Sequence, residues 1–184
     1  MNTVLRAALG SHYATLTSPP VPHGGAEEAA SPAEFRAVMG ALPTGVSLLT
    51  TRHATGVWAM TVGSLTSLSL DPPLLLVCLR RSSATLDMIA GHGRFAVSVL
   101  AAGHAAVADT FARPRDRAAV EATPFSTFDD LPVLPGALAW LTCGHEHTYT
   151  SGDHAIVIGA VRRARREGTG EPLVRHDSRY RDFR

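Results

Sequence analysis

The stretch SLTSLSLDPPLLLVCL, residues 64–79, has four hydroxyl side chains directly before six consecutive apolar or near-apolar residues. Hydroxyl residues and leucines are interspersed up to Asp71, two prolines follow, and residues 74–79 are continuously apolar. A short apolar run bounded by turn residues is typical of a buried strand, and alternation of period two is typical of a half-exposed one. The stretch therefore predicts two strands, 66–70 and 74–79, joined by a turn at Asp-Pro-Pro.

Further segments of the same kind lie on both sides of this stretch. They are short, rich in β-branched or large apolar residues, and separated in several places by Gly, Pro or Asp, which predicts strands. These segments are residues 46–51, 57–61, 95–100, 137–143, a short strand near 148–150, and 155–161. Many short strands with few helices favour an α+β domain built around an antiparallel barrel or sandwich.

The first predicted helix marks the start of the folded domain. Ser31 stands three residues before Glu34, as in a capping box, and Pro43 ends the helix. Residues 1–30 combine prolines, glycines and acidic residues without periodicity, so we expect a flexible or peripheral extension before a domain of residues 31–184. One apolar face of the helix is formed by Phe35, Val38, Met39 and Leu42.

Two further helices are predicted between the strands. Ser83 is the candidate N-cap of one helix, and Gly91 is its expected end. The other lies within residues 103–114 and ends at Pro114. Both interrupt the series of strands without changing the α+β class.

The composition excludes several classes of function. The 184 residues are 45% hydrophobic and 18% charged, enough for one domain that buries about 70% of its unfolded surface. All basic residues are arginine, so no lysine can act as a nucleophile or form a Schiff base. The net charge of +1 gives no broad basic field for nucleic acid. Neither a GxGxxG turn nor a P-loop is present, so a nucleotide would have to bind in another way.

The cellular setting is predicted from three absences in the sequence. No apolar run approaches about 18 residues, so no transmembrane helix is expected. The N-terminus lacks the long apolar region of a signal peptide. Cys78 and Cys143 lie in apolar runs and form no CxxC pair, so we expect reduced core thiols and a cytoplasmic location.

The segment LRRSSATL predicts an anion site. Arg80 and Arg81 end an apolar strand, and Ser82, Ser83 and Thr85 open a helix. Backbone N–H groups at a helix start, together with hydroxyls and a guanidinium, suit a phosphate. An ordinary serine-capped helix with a solvated arginine pair is the alternative that this segment alone leaves open.

The preceding segment, MTVGSLTSLSL, predicts a surface for a flat ligand. Gly63 lets the backbone approach a ligand closely, while neighbouring amides and hydroxyls bond its edge. The alternative is a half-exposed strand with its serines in water. No Gly-x-Ser-x-Gly nucleophile motif is present.

A third candidate is the turn at residues 152–154. His154 could hydrogen-bond or protonate a substrate, and Asp153 could shape the turn or orient the ring. His145 and His147 could supply two metal ligands, but no third ligand has suggestive spacing, so no metal is predicted. The arginines within residues 162–166 could meet phosphate or RNA, although a solvated strand end accounts for them as well.

Together these segments occur in an order that resembles the flavin reductase-like family, the short-chain reductase components of two-component flavin monooxygenases. The motifs are PTGV, MTVGSLTSLSLDPPLLLVCL, SSATL, GRFAVSVL, LPGALAWLTC, GDHAIVIGAV and a terminal PLV with RY, spread over about residues 33–181. The resemblance implies an FMN-binding split barrel, usually a homodimer with the flavin near the subunit interface. It also implies hydride transfer from NADH or NADPH to FMN or FAD, with the reduced flavin leaving for a separate monooxygenase.

The resemblance also implies roles for individual positions. Thr61, Val62, Gly63 and Ser64 would line the isoalloxazine edge, with Ser67 and Leu68 near the ribityl chain or phosphate. The phosphate end would be held by Arg80, Ser82, Ser83 and Thr85, and Phe111 with Arg113 would close over the flavin. His154 would meet the nicotinamide, and Tyr180 would lie beside the same pocket. Since hydride transfer needs mainly placement of the two rings, no acid–base triad is expected.

Three positions depart from the family pattern. Gly63 and Ser98 stand where asparagine is frequent, and Thr142 stands where glutamate is frequent. A second hypothesis keeps the fold but makes the protein a flavin-binding module, or a flavoenzyme with tightly bound FMN and its own substrate. A nucleic-acid-binding barrel is the third hypothesis.

Overall fold

The computed structural model describes residues 13–14, 29–54, 56–112 and 117–181. Its helices are α1 (Pro32–Gly40), α2 (Ala84–His92), α3 (Ala105–Phe111), which follows a short 3-10 turn at Ala102–His104, and α4 (Arg117–Ala122). Its strands are β1 (Tyr13–Ala14), β2 (Thr44–Gly45), β3 (Ser47–His53), β4 (Gly56–Val62), β5 (Thr66–Leu70), β6 (Pro73–Arg80), β7 (Arg94–Val99), β8 (Ser126–Phe128), β9 (Leu131–Val133), β10 (Ala139–Ser151), β11 (His154–Arg166), β12 (Val174–His176) and β13 (Arg179–Arg181).

One sheet forms the framework, in the order β4-β3-β7-β10-β11-β6-β5. Every neighbouring pair along this path is antiparallel, and β1 adds to β10 in parallel. β4 and β5 stand at opposite ends of the path, yet only residues 63–65 join them. Such a link spans roughly 14 Å, whereas the ends of a flat seven-strand sheet would be about 29 Å apart. The sheet must therefore curl on itself and leave a gap between β4 and β6, which confirms the predicted α+β split barrel.

The core fills the inside of this curled sheet and the space beneath α3. One cluster of buried side chains joins β3, β6, β7 and β11 to α2, and Phe95 and Val77 are completely buried in it. Gly159 is required there, because a Cβ would lie 2.5 Å from the Phe95 ring. A second cluster joins β3 to Ala108 and Phe111 of α3, and α3 is therefore fixed by burial despite its short length.

Several predictions about element bounds are wrong. The strand predicted at 155–161 continues to Arg166, and α1 ends at Gly40, before Leu42 of its predicted apolar face. The strands predicted at 137–143 and 148–150 are one continuous strand, β10, because a bulge between His145 and His147 keeps both parts in register with β11. The helix predicted to end at Gly91 continues to His92, and Gly93 is its left-handed C-cap with φ of 74°. Gly91 is tolerated inside the helix because it is exposed and nothing packs over it.

The remaining segments agree with the sequence more closely. Ser31 and Glu34 form the predicted capping box at α1, and Ser83 caps α2 through the backbone N–H of Thr85. Most of the extension at residues 1–30, and also Pro114, lie outside the described residues. No helix in the described ranges is long and apolar enough to cross a membrane.

Candidate functional site

The pairing of β6 with β11 brings the two most distant motifs together. His154 lies opposite Arg80 in the ladder. The backbone N–H of Arg81 donates to the carbonyl of Asp153 at 3.0 Å, and the Arg81 guanidinium donates to the carbonyl of Gly152 at 3.3 Å. The end of β6 and the turn before β11 therefore form one continuous edge, although they are some 70 residues apart in the sequence.

The turn at that edge holds the His154 ring in a defined orientation. Gly152 has φ of 57°, a left-handed conformation that favours glycine. Nδ1 of His154 lies 2.7 Å from Oδ1 of Asp153. The hydrogen bond and the charge interaction with His154, helped by Arg80, lower the pKa of Asp153. An ionised carboxylate can only accept, so Nδ1 carries the hydrogen and Nε2 is the nitrogen that can face a ligand.

Beside Arg80 lies a cleft of about 590 Å³, which we call the main cleft. Its walls come from β4, from the start of α2 and from the end of α3. It collects five of the predicted ligand-binding residues: Arg80, Ser82, Ser83, Thr85 and Phe111. A volume in this range is typical of sites for small molecules and cofactors.

The polar end of the main cleft suits a phosphate. Arg80 is the charged side chain in its described lining, and it is exposed to solvent. Ser82 and Ser83 stand beside the N-terminus of α2, whose first N–H groups and helix dipole favour an anion. The arrangement has groups that favour an anion, and the phosphate-binding role of Arg80, Ser82, Ser83 and Thr85 stays a prediction.

The apolar end of the main cleft contains two residues that the sequence reasoning missed. Trp58 and Met60 are two residues apart on β4, so their side chains lie on the same face of the strand. Both line the cleft together with Phe111. Trp58 Nε1 donates to the Thr85 hydroxyl at 3.0 Å, and that hydroxyl contacts the Met60 sulfur at 3.2 Å. Thr85 is thus buried and links α2 to β4. The sequence signal that could have identified these two cleft residues is their period-two spacing in the strand just before Thr61.

The residues predicted at the isoalloxazine edge lie at the end of β4 and just after it. The Thr61 hydroxyl donates to the carbonyl of Ala108 at 2.8 Å, and Val62 is buried in the core. The Ser64 hydroxyl donates to the Cys78 carbonyl at 2.8 Å and accepts from the Cys78 N–H at 3.1 Å. The Ser64 side chain therefore bonds β6 as the backbone of a neighbouring strand would, and so links the two sides of the gap in the barrel.

Gly63 has a steric reason to differ from the family pattern. A Cβ at this position would lie 3.3 Å from the Thr44 hydroxyl, closer than most side chains tolerate. An asparagine here would therefore require Thr44 to move. Ser98 and Thr142 are buried structural residues: the first accepts from the backbone N–H of Leu134 at 3.0 Å, and the second donates to Asp129 at 2.8 Å.

Ser67 and Leu68 stand apart from the main cleft. Ser67 lines a separate apolar depression of about 340 Å³ beside the β5–β6 hairpin. Leu68 lies at a register shift between Ser67 and Ser69 and is exposed. Two residues were predicted to close over the flavin. Phe111 lines the main cleft, and Arg113 lies outside the described residues.

Tyr180 lies on β13 and packs against the cluster that contains Ala108 and Phe111. Burial and the negative charge of Asp109 on α3 raise the pKa of Tyr180. Its contacts therefore connect it to α3, and the predicted role beside the nicotinamide stays a prediction.

The alternative sites have internal partners. The His145 ring lies 2.7 Å from the Thr148 hydroxyl, and the His147 ring packs on Tyr149. No group of three or more metal-ligating side chains occurs in the part of the chain that the structure describes. Arg163 pairs with Asp129, and Arg165 pairs with Glu167 and stacks on Phe128 and Trp140. These contacts give the arginine run a structural role.

Comparison with known proteins agrees with this fold. The family model described as "Flavin reductase like domain" matches residues 39–184. The chain therefore belongs to the flavin reductase-like family. "Probable flavin reductase" of Rhizobium meliloti (strain 1021) is 40% identical over 136 residues, which are 73% of this chain and 43% of that protein. This chain thus spans less than half the length of that relative.

Two Streptomyces proteins match over most of their length. "NADH-dependent FMN reductase AsuE2" of Streptomyces nodosus subsp. asukaensis is 38% identical over 80% of this chain and 82% of its own. The solved structure of Streptomyces globisporus C-1027 NADH:FAD oxidoreductase SgcE6 is 32% identical and has a TM-score of 0.78. It covers 87% of this chain and 99% of that one. Another structure of SgcE6 is a complex with NAD and FAD fragments.

Proposed function

We propose that this chain is an NAD(P)H-dependent flavin reductase, with NADH or NADPH as hydride donor and FMN or FAD as acceptor. The observation that carries the proposal is the adjacency of the main cleft to the Asp153–His154 pair, through the register of Arg80 with His154. The relatives named above, which reduce FMN or FAD with NADH by their names, support it.

The residues of this chain have separate tasks in that reaction. Arg80, Ser82 and the N-terminus of α2 bind the flavin phosphate. Trp58 and Phe111 cover the apolar part of the flavin and exclude water from it. A bound flavin supplies a ring that accepts a hydride from the nicotinamide, and the protein contributes mainly proximity and orientation. His154 presents Nε2 to the nicotinamide amide while Asp153 holds Nδ1.

The roles inferred by family resemblance for the β4 end are part of the same proposal. Thr61 and Ser64 already use their hydroxyls within the protein, so they would meet the flavin edge through backbone groups. Val62 supports that backbone from the core, and Gly63 leaves it uncovered. Ser67 and Leu68 would reach the flavin only if the ligand extends towards the β5–β6 hairpin.

The proposal is tested by mixing the purified protein with each combination of NADH or NADPH and FMN or FAD. Loss of the nicotinamide absorbance that depends on added flavin and saturates with it supports the reductase. Stoichiometric flavin that copurifies, does not exchange and is not reduced by either nicotinamide would instead favour a flavoenzyme with its own substrate.

We also propose a separate flavin-dependent monooxygenase as the acceptor of the reduced flavin. Relatives named as reductase components of two-component oxygenases or halogenases support this partner. The two cysteines, both free thiols in the structure, are consistent with the cytoplasmic location that we propose for the pair. An oxygenase that turns over only when this protein, nicotinamide and flavin are all present would be the test.

A homodimer is the last part of the proposal, and α1 supports it. The apolar side chains of α1 are between 46% and 70% exposed, and Leu68 and Leu70 on β5 are also exposed. A stable interface buries about 800 Å² per partner, so a second copy of this chain would cover these surfaces adequately. The α1 side chains are Phe35, Val38 and Met39, and the exposed Leu42 follows the helix.

A further inference from the structure

Thr85, the second residue of α2, has a hydrogen-bonded hydroxyl in the wall of the main cleft. The residue is only 2% exposed. Its hydroxyl oxygen accepts from Trp58 Nε1 at 3.0 Å, and its O–H donates to the Met60 sulfur at 3.2 Å. Both partners stand on β4 and line the cleft as well. This one hydroxyl therefore joins the helix to the strand within the cleft wall.

The hydrogen-bonding capacity of the Thr85 hydroxyl limits what it can offer a ligand. A threonine hydroxyl has one proton to donate and two lone pairs to accept with. The proton is used on Met60, and one lone pair receives the Trp58 N–H. Phosphate oxygens are acceptors and need donors. We therefore expect those donors to come from Arg80, Ser82 and the backbone N–H groups at the start of α2.

The same hydroxyl fixes the ring of Trp58. Trp58 is half-buried on β4, where a side chain has more than one staggered conformation open to it. A directional bond from Nε1 to a buried partner selects one of these conformations. Aromatic rings carry large apolar areas and stack on other flat rings. Trp58 is therefore a fixed aromatic surface in the cleft wall.

We propose that Thr85 is a positioning residue for flavin binding: its hydroxyl holds the Trp58 indole against the bound flavin and does not bind the phosphate. The inference rests on the proposed function, since it assumes that the main cleft holds a flavin. It gives Thr85 a task different from the one that family resemblance implies, which is at the phosphate end. Riboflavin separates the two tasks, because it has the ring system of FMN and lacks the phosphate.

The test measures dissociation constants of the full-length chain for FMN and for riboflavin by quenching of flavin fluorescence. Thr85→Val removes the hydroxyl and keeps the shape of the side chain, whereas Thr85→Ser keeps the hydroxyl. Trp58→Phe keeps an aromatic ring without the N–H, and it is also combined with Thr85→Val. The matched control is Thr148→Val on β10, outside the described lining of the main cleft. Thr148 is also 2% exposed, and its hydroxyl lies 2.7 Å from a ring nitrogen of His145.

We expect Thr85→Val to raise the dissociation constants of FMN and riboflavin by the same factor, about three- to tenfold, the effect of one lost hydrogen bond. Thr85→Ser and Thr148→Val should change both constants by less than twofold. In the Trp58→Phe background, Thr85→Val should weaken FMN binding by less than a further factor of about two, because the bond is already absent.

The inference is overturned by a Thr85→Val loss that affects FMN and spares riboflavin, since a direct phosphate contact would produce that result. It is also overturned by a loss that persists in full in the Trp58→Phe background, by unchanged FMN affinity in Thr85→Val, or by an equal loss in Thr148→Val. If the unmodified protein binds and reduces neither FMN nor FAD, the proposed function itself fails, which is a distinct result.

Discussion

His154, the first residue of β11, lies directly opposite Arg80, the last residue of β6. Through this pairing the residue proposed to bind the flavin phosphate and the residue proposed to meet the nicotinamide share one sheet edge. Antiparallel neighbours directly opposite each other have Cα atoms about 4.5–5.5 Å apart. The barrel thus fixes the spacing of two residues that are 74 positions apart in the sequence.

Replacement of Arg80 by alanine should weaken flavin binding. A guanidinium bonded to a phosphate is a charge-assisted contact, so we expect the flavin dissociation constant to rise about 10-fold or more. The control is Arg162→Ala, since Arg162 is an exposed arginine on β11, eight residues after His154. Equal flavin affinity in both variants, measured by fluorescence titration, would contradict the assignment of Arg80.

Replacement of Ser64 by alanine should destabilise the barrel. Both main-chain groups of Cys78 lose a partner at the gap between β4 and β6. We expect the free energy of unfolding in urea to fall by about 1–3 kcal/mol. Ser69→Ala, on the neighbouring strand β5, should change it by less than about 0.5 kcal/mol. A Ser64→Ala variant that is as stable as the unmodified protein would contradict this structural role.

The stability of the fold should depend on the ionisation of Asp129. The Thr142 hydroxyl bonds its carboxylate, and Arg94 and Arg163 pair with it, so the pKa of Asp129 is lowered against the opposing effect of desolvation. A lowered folded-state pKa gives stability that is complete above the unfolded pKa, about 4. That stability is lost as the pH falls through the folded pKa.

The variant Asp129→Asn should therefore have a lower Tm at neutral pH and a smaller further loss between about pH 5 and about pH 3. Thermal unfolding at a series of pH values measures both effects. Asp130→Asn is the matched control, because Asp130 is exposed and its neighbour Arg52 bonds its backbone carbonyl. Parallel acid curves for the two variants would contradict the role given to Asp129.

The face of α1 should be required for a dimer. Val38→Asp puts a charge in the apolar stripe, so we expect the mass measured by light scattering to fall from two copies to one. Ala37→Asp changes the opposite face of the same helix and should leave the mass unchanged. A monomeric unmodified protein, or a Val38→Asp variant that remains dimeric, would rule out this surface.

Local signals predicted most of the elements. The capping box of Ser31 and Glu34 and the serine cap of α2 need only neighbouring residues, and both occur as expected. The strand Thr66–Leu70 has its predicted bounds because the prolines and Gly63 limit it on both sides. Helix and strand ends that depend on turn chemistry are therefore readable from the sequence.

The site was less predictable because it depends on contacts between distant residues. The sequence predicts a Ser64 hydroxyl that faces solvent or a ligand, yet in the structure it bonds both main-chain groups of Cys78 on β6. Likewise the sequence predicts that Thr85 binds a phosphate, whereas in the structure its hydroxyl accepts a hydrogen bond from Trp58 Nε1. Tyr180 packs against the cluster of Ala108 and Phe111 only after the C-terminal hairpin has folded onto α3, and no local pattern indicates that contact.

The central claim is that the main cleft holds a flavin next to a nicotinamide site at His154. Anaerobic mixing of the protein and flavin with NADH or NADPH, for the unmodified chain and His154→Ala, tests it most directly. We expect the flavin absorbance to bleach at a rate that saturates with nicotinamide. In His154→Ala, half-saturation should need about tenfold more nicotinamide, with a flavin dissociation constant within twofold of the original. Absence of bleaching with every nicotinamide–flavin pair, or an equal loss of flavin affinity in His154→Ala, would contradict the account.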